Sequence, residues 1–281
     1  MSKKPYLLLL PVIFLSLIFI VGILYGLIQS FGIIPSLGMK VPTLKYYQEL
    51  FTRPELLSSI GMSLYIAFVS SILATILGVL ICSLLVLTGK GKGKVMHLVK
   101  IPIAIPHIVV AMFVMLIFAQ SGLLARVLFN LGLLESPNAF PTLLYSQNGI
   151  GIILAYLWKE IPFVIFFVIT IMANINTSLG EAAENLGASR WRAFIDITLP
   201  LSMPSIKNAF LIIFAYNFGA YELPYLLGAT APRAIPVQAY IEYIHPDLLH
   251  RPYAMALNGI MFLVSFIIVL IYHRTVQRNP N

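Results

Sequence analysis

The sequence has 281 residues, of which 59% are hydrophobic and only 10% are charged. A soluble globular domain carries about 25% charged residues, so this composition excludes an ordinary soluble fold and indicates a chain that lies mostly in lipid. The formal net charge of +8 is therefore considered first as a topology signal, not as a nucleic-acid surface. The single cysteine, Cys82, excludes an internal disulfide, and its apolar surroundings favour a small buried residue.

Six apolar stretches along the chain are long enough to cross a bilayer, because a helical span needs about 20 residues. The first one follows Lys3 and Lys4, as in a signal peptide. Its apolar run is too long for a signal core and no small-x-small cleavage site follows, so we expect an uncleaved helix. We predict an all-α membrane protein with six transmembrane helices in a single domain, residues 1–281. The predicted spans are Tyr6–Ile28, Ser59–Leu87, Ile101–Ala119, Gly149–Ala173, Ile206–Leu227 and Ala254–Tyr272.

Lysine and arginine are distributed unevenly between the two sides of these spans. With a cytoplasmic amino terminus, the cytoplasmic segments contain only three acidic residues, Glu181, Glu184 and Asp196. The whole net charge of +8 then lies on the cytoplasmic side, as the positive-inside rule expects. We therefore predict that both termini are cytoplasmic and that no nucleic acid is a partner. The cytoplasmic basic residues are Lys3, Lys4, Lys90, Lys92, Lys94, Lys100, Arg190, Arg192, Lys207, Arg274 and Arg278.

The polar stretch EAAENLGASRWRAFIDITLP, residues 181–200, separates the fourth and fifth spans. Ser178 stands three residues before Glu181, a spacing that predicts a capping box at the start of a helix. Apolar and small residues continue at helical spacing, and Gly187 suits the end of a helix. The sequence therefore predicts a helix of about two turns that ends at Gly187.

A second helix is predicted from Ser189 until Pro200, with Pro204 in the first turn of the fifth span. Its apolar side is formed by Trp191, Phe194, Ile195, Thr198 and Leu199. Two interpretations remain open on physical grounds. The two helices can present a surface to another protein, or they can lie in the lipid headgroups as an amphipathic hairpin.

The same stretch resembles the signature loop of type I ABC importer permeases. In that family Glu-Ala-Ala is followed after three residues by Gly and after nine more by Ile-x-Leu-Pro. This chain has Glu181, Ala182, Ala183, Gly187, Ile197, Leu199 and Pro200 at those spacings. The resemblance extends over the second to sixth spans. It includes "IPIAIP" at the entry to the third span and "WKEIPF" in the fourth, with a predicted core of residues 58–273 and a coupling loop of residues 174–205.

The resemblance implies a coupling helix, residues 178–187, that docks on a separate ATP-binding subunit through Glu181, Ala182, Ala183, Leu186 and Gly187. It also implies that two ATPase subunits hold ATP and Mg²⁺, that this chain binds no cofactor of its own, and that a second permease subunit, often a different chain, completes the path. An extracytoplasmic binding protein would deliver the solute at a prokaryotic plasma membrane. No Gly-x-x-x-x-Gly-Lys-[Ser/Thr] loop occurs in the sequence, so we expect a membrane subunit without ATPase activity.

Five polar residues lie within the predicted fourth and fifth spans: Lys159, Glu160, Asn217, Tyr221 and Glu222. Charge at bilayer depth is costly and by default indicates function. Lys159 and Glu160 fall about 15 Å into their helix and about 100° apart, so we expect them on different faces. Asn217 and Tyr221 are one turn apart and should share a face. Either these residues line the substrate path, or Lys159 pairs with Glu222 or Glu160 to hold the helices together. We interpret His107, at the start of the third span, as a capping or packing residue.

The sequence indicates the class of protein more clearly than it indicates the transported solute. The stretch FGAYELPYLLGA, residues 218–229, resembles the polyamine branch of the family, and Glu160 and Glu222 would suit a polyamine-like cation. Lys159 would instead suit an anion, and permeases for sugar, phosphonate, thiamine or ferric iron are alternatives. A secondary transporter is the alternative class, although it needs no coupling loop and usually has internal repeats.

Overall fold

A computed structural model describes residues 4–91 and 93–277. Lys3, Lys92 and Arg278, which contribute to the predicted orientation, lie outside the described residues. Six helical stretches are long and apolar enough to cross a membrane, which confirms the all-α, six-span prediction. They are Leu9–Ser30, Pro54–Leu87, His107–Asn130, Ile150–Asn185, Arg190–Gly219 and Leu248–Leu270.

The helices differ from the predicted spans mainly at their ends and at two interruptions. In chain order they are α1 (Lys4–Ser30), α2 (Lys45–Thr52), α3 (Pro54–Leu87), α4 (Lys94–Ala104), α5 (His107–Phe118), α6 (Leu123–Asn130), α7 (Ile150–Ile175), α8 (Glu181–Asn185), α9 (Arg190–Ala193), α10 (Leu199–Gly219), α11 (Glu222–Leu227), α12 (Ile235–Tyr243) and α13 (Arg251–Gln277). Two π-helical turns, Asn176–Gly180 and Phe194–Thr198, continue α7 into α8 and α9 into α10.

The described residues form two compact units. The first contains the described residues up to Ser59 together with Ile235–Tyr272, and therefore α1, α2, α12 and most of α13. The second contains Ile60–Ala234 and the described residues after Tyr272. The second unit holds the charged residues of the fourth and fifth spans and the polar stretch between them.

Polar contacts connect the short helices of the first unit. The carboxylate of Glu242 lies 2.5 Å from Nδ1 of His250 and 3.7 Å from Nη1 of Arg53. Tyr253 donates a hydrogen bond to Glu49, which lowers the pKa of that half-buried carboxyl. These contacts join α2, α12 and the start of α13, and they fix the loops of this unit.

The core of the second unit is built where α3, α7 and α10 pack against each other. Gly78 allows α3 to approach α7, since a Cβ atom there would lie 2.7 Å from Cβ of Val164. Cys82 is buried and free, and its Sγ lies 3.7 Å from Sδ of Met172, which confirms that it is a packing residue. The buried members of this cluster are Ala74, Cys82, Val86, Val164, Ile165, Val168, Ile169, Met172, Phe194, Ile206, Ala209 and Ile213.

Candidate functional site

Residues 176–198 form a helical hairpin, which we call the hairpin below. Its first arm, α8, ends in a Schellman motif: the N–H of Gly187 donates to the carbonyl of Glu184, and the N–H of Ala188 donates to that of Ala183. Gly187 has a φ of 95°, a left-handed conformation that favours glycine. Ser189 then caps α9, because its Oγ accepts a hydrogen bond from the N–H of Arg192. The predicted helix end at Gly187 and the predicted start near Ser189 are both confirmed.

The predicted capping box at Ser178 is wrong. The chain does not start a new helix there, because α7 continues through a π-helical turn directly into α8. The hydroxyl of Ser178 donates backwards to the carbonyl of Asn174, so it is not available to cap. A backbone N–H that already has a helical partner needs no cap, which removes the physical basis of the box.

The second arm also departs from the prediction at its end. Pro200 does not stop the helix, and Pro204 lies inside α10 instead of in its first turn. Pro200 follows the π-helical turn and occupies the first turn of α10, where a missing N–H is tolerated. The wider turn also divides the predicted apolar face: Phe194 and Thr198 are buried, whereas Trp191 and Ile195 are exposed.

The two π-helical turns meet at the base of the hairpin. The hydroxyl of Thr198 donates to the side-chain oxygen of Asn176 over 3.3 Å, and both side chains are buried. Gly180 lies against this pair, since a Cβ atom at this glycine would lie 3.0 Å from Oδ1 of Asn176, so the base has no space for a side chain. The base of the hairpin is therefore packed, and its position is fixed relative to α7 and α10.

The tip of the hairpin is exposed. Leu186 has 90% of its surface exposed, the largest fraction among the large hydrophobic residues that the structure describes as exposed. Glu181, Ala182 and Gly187 are exposed beside it, and Ala183 is half-buried. All five residues predicted for coupling thus lie on one short arm. A small-residue surface with one protruding leucine is suited to contact another protein closely.

A second candidate site lies where two helices of the second unit are interrupted. Pro106 lacks an N–H and disfavours helical geometry at the preceding residue, and Ile105 is extended between α4 and α5. Ala220 is extended between α10 and α11, and Pro224 follows in the first turn of α11. Each interruption frees backbone groups from helical hydrogen bonds. The predicted third and fifth spans are therefore not continuous helices.

Side chains from α5, α7 and α10 surround these interruptions. Nζ of Lys159 donates to the free carbonyl of Ile105 over 2.5 Å. Nδ1 of His107 lies 3.5 Å from Oε2 of Glu222, and the hydroxyl of Tyr216 lies 3.1 Å from Nε2 of the same histidine. The rings of His107 and Tyr216 are stacked with centroids 5.2 Å apart. Polar contacts thus join the first turn of α5 to α10 and to the first turn of α11.

A pocket of about 230 Å³ opens beside this cluster. Lys159 and Glu160 both line it, but their side chains reach different helices: Nζ of Lys159 donates to the carbonyl of Ile105 after α4, whereas Glu160 lies near the amide of Asn217 on α10. A separation of 100° still lies within the width of one helix face that packs against neighbours. The lining residues are Ile103, His107, Lys159, Glu160, Phe163, Ile212, Ile213 and Tyr216.

The other predicted path residues lie outside the lining of this pocket. Asn217 is buried, and its Nδ2 donates to Oγ of Ser70 over 2.9 Å and to Oγ of Ser71 over 3.2 Å. Tyr221 precedes α11 and stacks on Tyr225, with ring centroids 4.9 Å apart. Because the helix is interrupted at Ala220, Asn217 and Tyr221 do not share a face of one continuous helix as predicted.

Glu222 contacts the pocket lining through His107. Within residues 4–91 and 93–277, no ion pair joins Lys159 to Glu222 or to Glu160 within 4.0 Å, so the predicted structural pairs do not form in this conformation. His107 and Tyr216 were not among the predicted site residues. The proline before His107 was a signal for it, but only the fold brings Tyr216, 109 positions later, against the imidazole.

Comparison with known proteins decides the family. Residues 72–280, more than half of the chain, match the family described as binding-protein-dependent transport system inner membrane component. The chain belongs to this family. It is a permease subunit of an ABC importer and a multi-pass protein of the inner membrane, as the resemblance implied. The secondary-transporter alternative is thereby removed.

Relatives and solved structures agree with this assignment. The sulfate transport system permease protein CysT of Escherichia coli is 23% identical over 79% of this chain and 77% of its own length. The molybdenum transport system permease protein ModB of Haemophilus influenzae is 26% identical over 59% of this chain and 69% of its own length. A bacterial ABC transporter involved in importing the acidic polysaccharide alginate has the same fold, with a TM-score of 0.79, 22% identity and coverage of 99% of this chain and 96% of that chain.

Proposed function

We propose that the hairpin couples this permease to a separate ATP-hydrolysing subunit through Glu181, Ala182, Ala183, Leu186 and Gly187. The observation that carries the proposal is the 90% exposure of Leu186 at the tip of an arm whose base is packed. Burying a fully exposed leucine contributes about 1.5–3 kcal/mol, so a partner surface that covers it gains substantial affinity. The small neighbours of Leu186 allow that surface to approach the backbone.

The transporter that we propose contains two ATPase subunits, a second permease subunit of a different chain and an extracytoplasmic binding protein. ATP and Mg²⁺ belong to the ATPase subunits, and this chain binds no cofactor. The family description, which names dependence on a binding protein, supports that partner. A solved alginate transporter in complex with a ligand-bound periplasmic protein also supports it, as a protein of the same fold.

The proposed mechanism is alternating access. ATP binding would draw the two ATPase subunits together, and each docked hairpin would pass this movement to α7 and α10 because its base is packed between them. The path would then open outward to receive the solute from the binding protein, and hydrolysis would return it to the inward state. The hairpin and both termini would face the cytoplasm, where the positive-inside rule places them.

The proposed substrate path runs past Lys159, Glu160, Asn217, Tyr221 and Glu222, and the pocket lined by Lys159 and Glu160 supports this proposal. Charged residues beside interrupted helices are typical of solute sites in transporters. Relatives named for sulfate and molybdenum support an anion, and others are named for ferric transport, so the relatives do not support the polyamine-like cation suggested by the sequence. The carboxylates of Glu160 and Glu222 are the observation that keeps a cationic solute as the second candidate.

Replacing Leu186 tests the coupling proposal. Leu186→Asp places a charge where the partner surface would bury an apolar side chain, so we expect at least a tenfold loss of ATPase co-purification with the permease. Leu186→Met keeps an apolar side chain of similar volume and should retain the ATPase. Equal recovery of the ATPase with both variants, at equal permease yield, would show that the tip is not the docking site.

A further inference from the structure

Two ionisable side chains of opposite type line one pocket without contacting each other. Lys159 and Glu160 are consecutive residues of α7, and both line the cavity of about 230 Å³. Within the part of the chain that the structure describes, no ion pair within 4.0 Å links them. The remaining lining is mostly apolar. Lys159 has the carbonyl of Ile105 as a partner, whereas neither carboxylate oxygen of Glu160 has a hydrogen-bond partner among the described residues.

Glu160 is the stronger indication of a ligand. Only 5% of this residue is exposed, and among the described residues neither carboxylate oxygen has a hydrogen bond of normal geometry. The amide of Asn217 approaches it, but that amide donates to Ser70 and Ser71. A buried acceptor without a donor is costly, and native structures rarely leave one unexplained. An ammonium group in the pocket would supply both the donor and the opposite charge.

Lys159 can bind a group of the opposite charge. Its side chain is half-buried, and one of its three N–H donors is used by the carbonyl of Ile105. The remaining donors can bind an anionic group at the same pocket. The hydroxyl of Tyr216 and the ring of His107 add polar groups on the α10 and α5 sides.

A solute with only one sign of charge fits this pair poorly. A simple anion would satisfy Lys159 but leave Glu160 facing a like charge. A diamine would satisfy Glu160 but bring a second ammonium group towards Lys159. We propose that the pocket binds a small zwitterionic solute, with its ammonium group at Glu160 and its anionic group at Lys159. This inference rests on the proposed role of the pocket as part of the substrate path, and it replaces the single-charge solutes considered above with one that carries both charges.

Three four-carbon probes of similar length separate the charge classes. They are γ-aminobutyrate, which is zwitterionic, succinate, which is a dianion, and 1,4-diaminobutane, which is a dication. Each is added to the purified complex of permease and ATPase subunits without ATP, and binding is measured from the rise in thermal unfolding temperature with probe concentration. We expect γ-aminobutyrate to bind at least about tenfold more tightly than the other two, because only this probe can form both charge-assisted contacts.

Single substitutions should then reverse the preference in opposite directions. Lys159→Met should make 1,4-diaminobutane the preferred probe, and Glu160→Gln should make succinate preferred. Lys100→Met and Glu55→Gln remove the same charges from exposed positions outside the pocket and should keep the wild-type order.

The order in which the unmodified complex binds the three probes can by itself overturn the inference. It is wrong if the unmodified complex responds most to succinate or to 1,4-diaminobutane, or to none of the three probes. It is also wrong if both pocket variants fold and keep the wild-type order. Because these measurements need no ATP, they are independent of the co-purification test at Leu186, so failure of the zwitterion site and failure of the coupling proposal can be distinguished.

Discussion

The hairpin and the pocket are two polar regions of the same membrane unit, yet they are built in opposite ways. The hairpin consists of consecutive residues, and its exposed tip depends on local hydrogen bonds around Gly187. The pocket combines α4, α5, α7 and α10, and its contacts join residues as far apart as His107 and Tyr216. A contiguous segment can serve as a docking surface with a simple local fold, whereas a solute site inside a bundle needs several helices to converge.

The first prediction concerns the tip and has the largest expected effect. Gly187→Trp places a bulky residue at a φ of 95° and on the surface proposed for the ATPase, so we expect at least a hundredfold loss of ATP hydrolysis stimulated by the binding protein. The yield of inserted permease should change little, because the strain falls on an exposed turn and a Cβ atom at Gly187 would have no other atom within 4 Å. The assay uses the complete transporter in proteoliposomes.

The matched control for this position is Gly187→Asn. Asparagine tolerates the left-handed conformation and adds little volume, so most of the stimulated hydrolysis should remain. If Gly187→Asn and Gly187→Trp reduce the stimulated hydrolysis equally, the sensitive feature is the conformation of the turn and not the docking surface. Normal stimulation with Trp would contradict the coupling role of the tip.

The second prediction concerns the polar packing behind the pocket. Asn217→Leu removes two buried hydrogen bonds to Ser70 and Ser71 and leaves those hydroxyls beside an apolar side chain. The expected cost is about 1–3 kcal/mol, equivalent to a fall of roughly 5 °C in the unfolding temperature of the purified complex. Asn208→Leu, at an exposed position of the same helix, is the control and should change the temperature by much less. An equal fall in both variants would show that the buried contacts to α3 contribute little.

The third prediction has the smallest effect and separates the pairing alternatives for Glu222. A double-mutant cycle of His107→Asn and Glu222→Gln should give a coupling energy of about 0.5 kcal/mol, since the pair is partly exposed. The parallel cycle of Lys159→Met and Glu222→Gln should give a smaller value, because Lys159 donates to the carbonyl of Ile105 instead. Unfolding temperatures of the purified complex supply both cycles. A larger coupling between Lys159 and Glu222 would support a structural ion pair across the helices.

Local sequence was a reliable guide wherever backbone and neighbouring residues determine the structure. The six spans follow from apolar runs, and the turn at Gly187 followed by the cap at Ser189 follows from residues within five positions of each other. The same reasoning failed at Ser178 and Pro200. Both positions lie next to π-helical turns, whose wider spacing lets one helix continue where a start or a stop was predicted.

The sequence by itself determined the membrane class, the number of spans and the position of the exposed hairpin, because these depend on composition, hydrophobic length and short-range hydrogen bonds. Only the tertiary structure decided which polar side chains lie close to each other. It separated Asn217 from Tyr221 by interrupting their helix, placed Lys159 and Glu160 at one pocket, and brought Tyr216 to His107. Such contacts depend on how helices pack around two proline-linked interruptions, and no periodic pattern within a single helix encodes that arrangement.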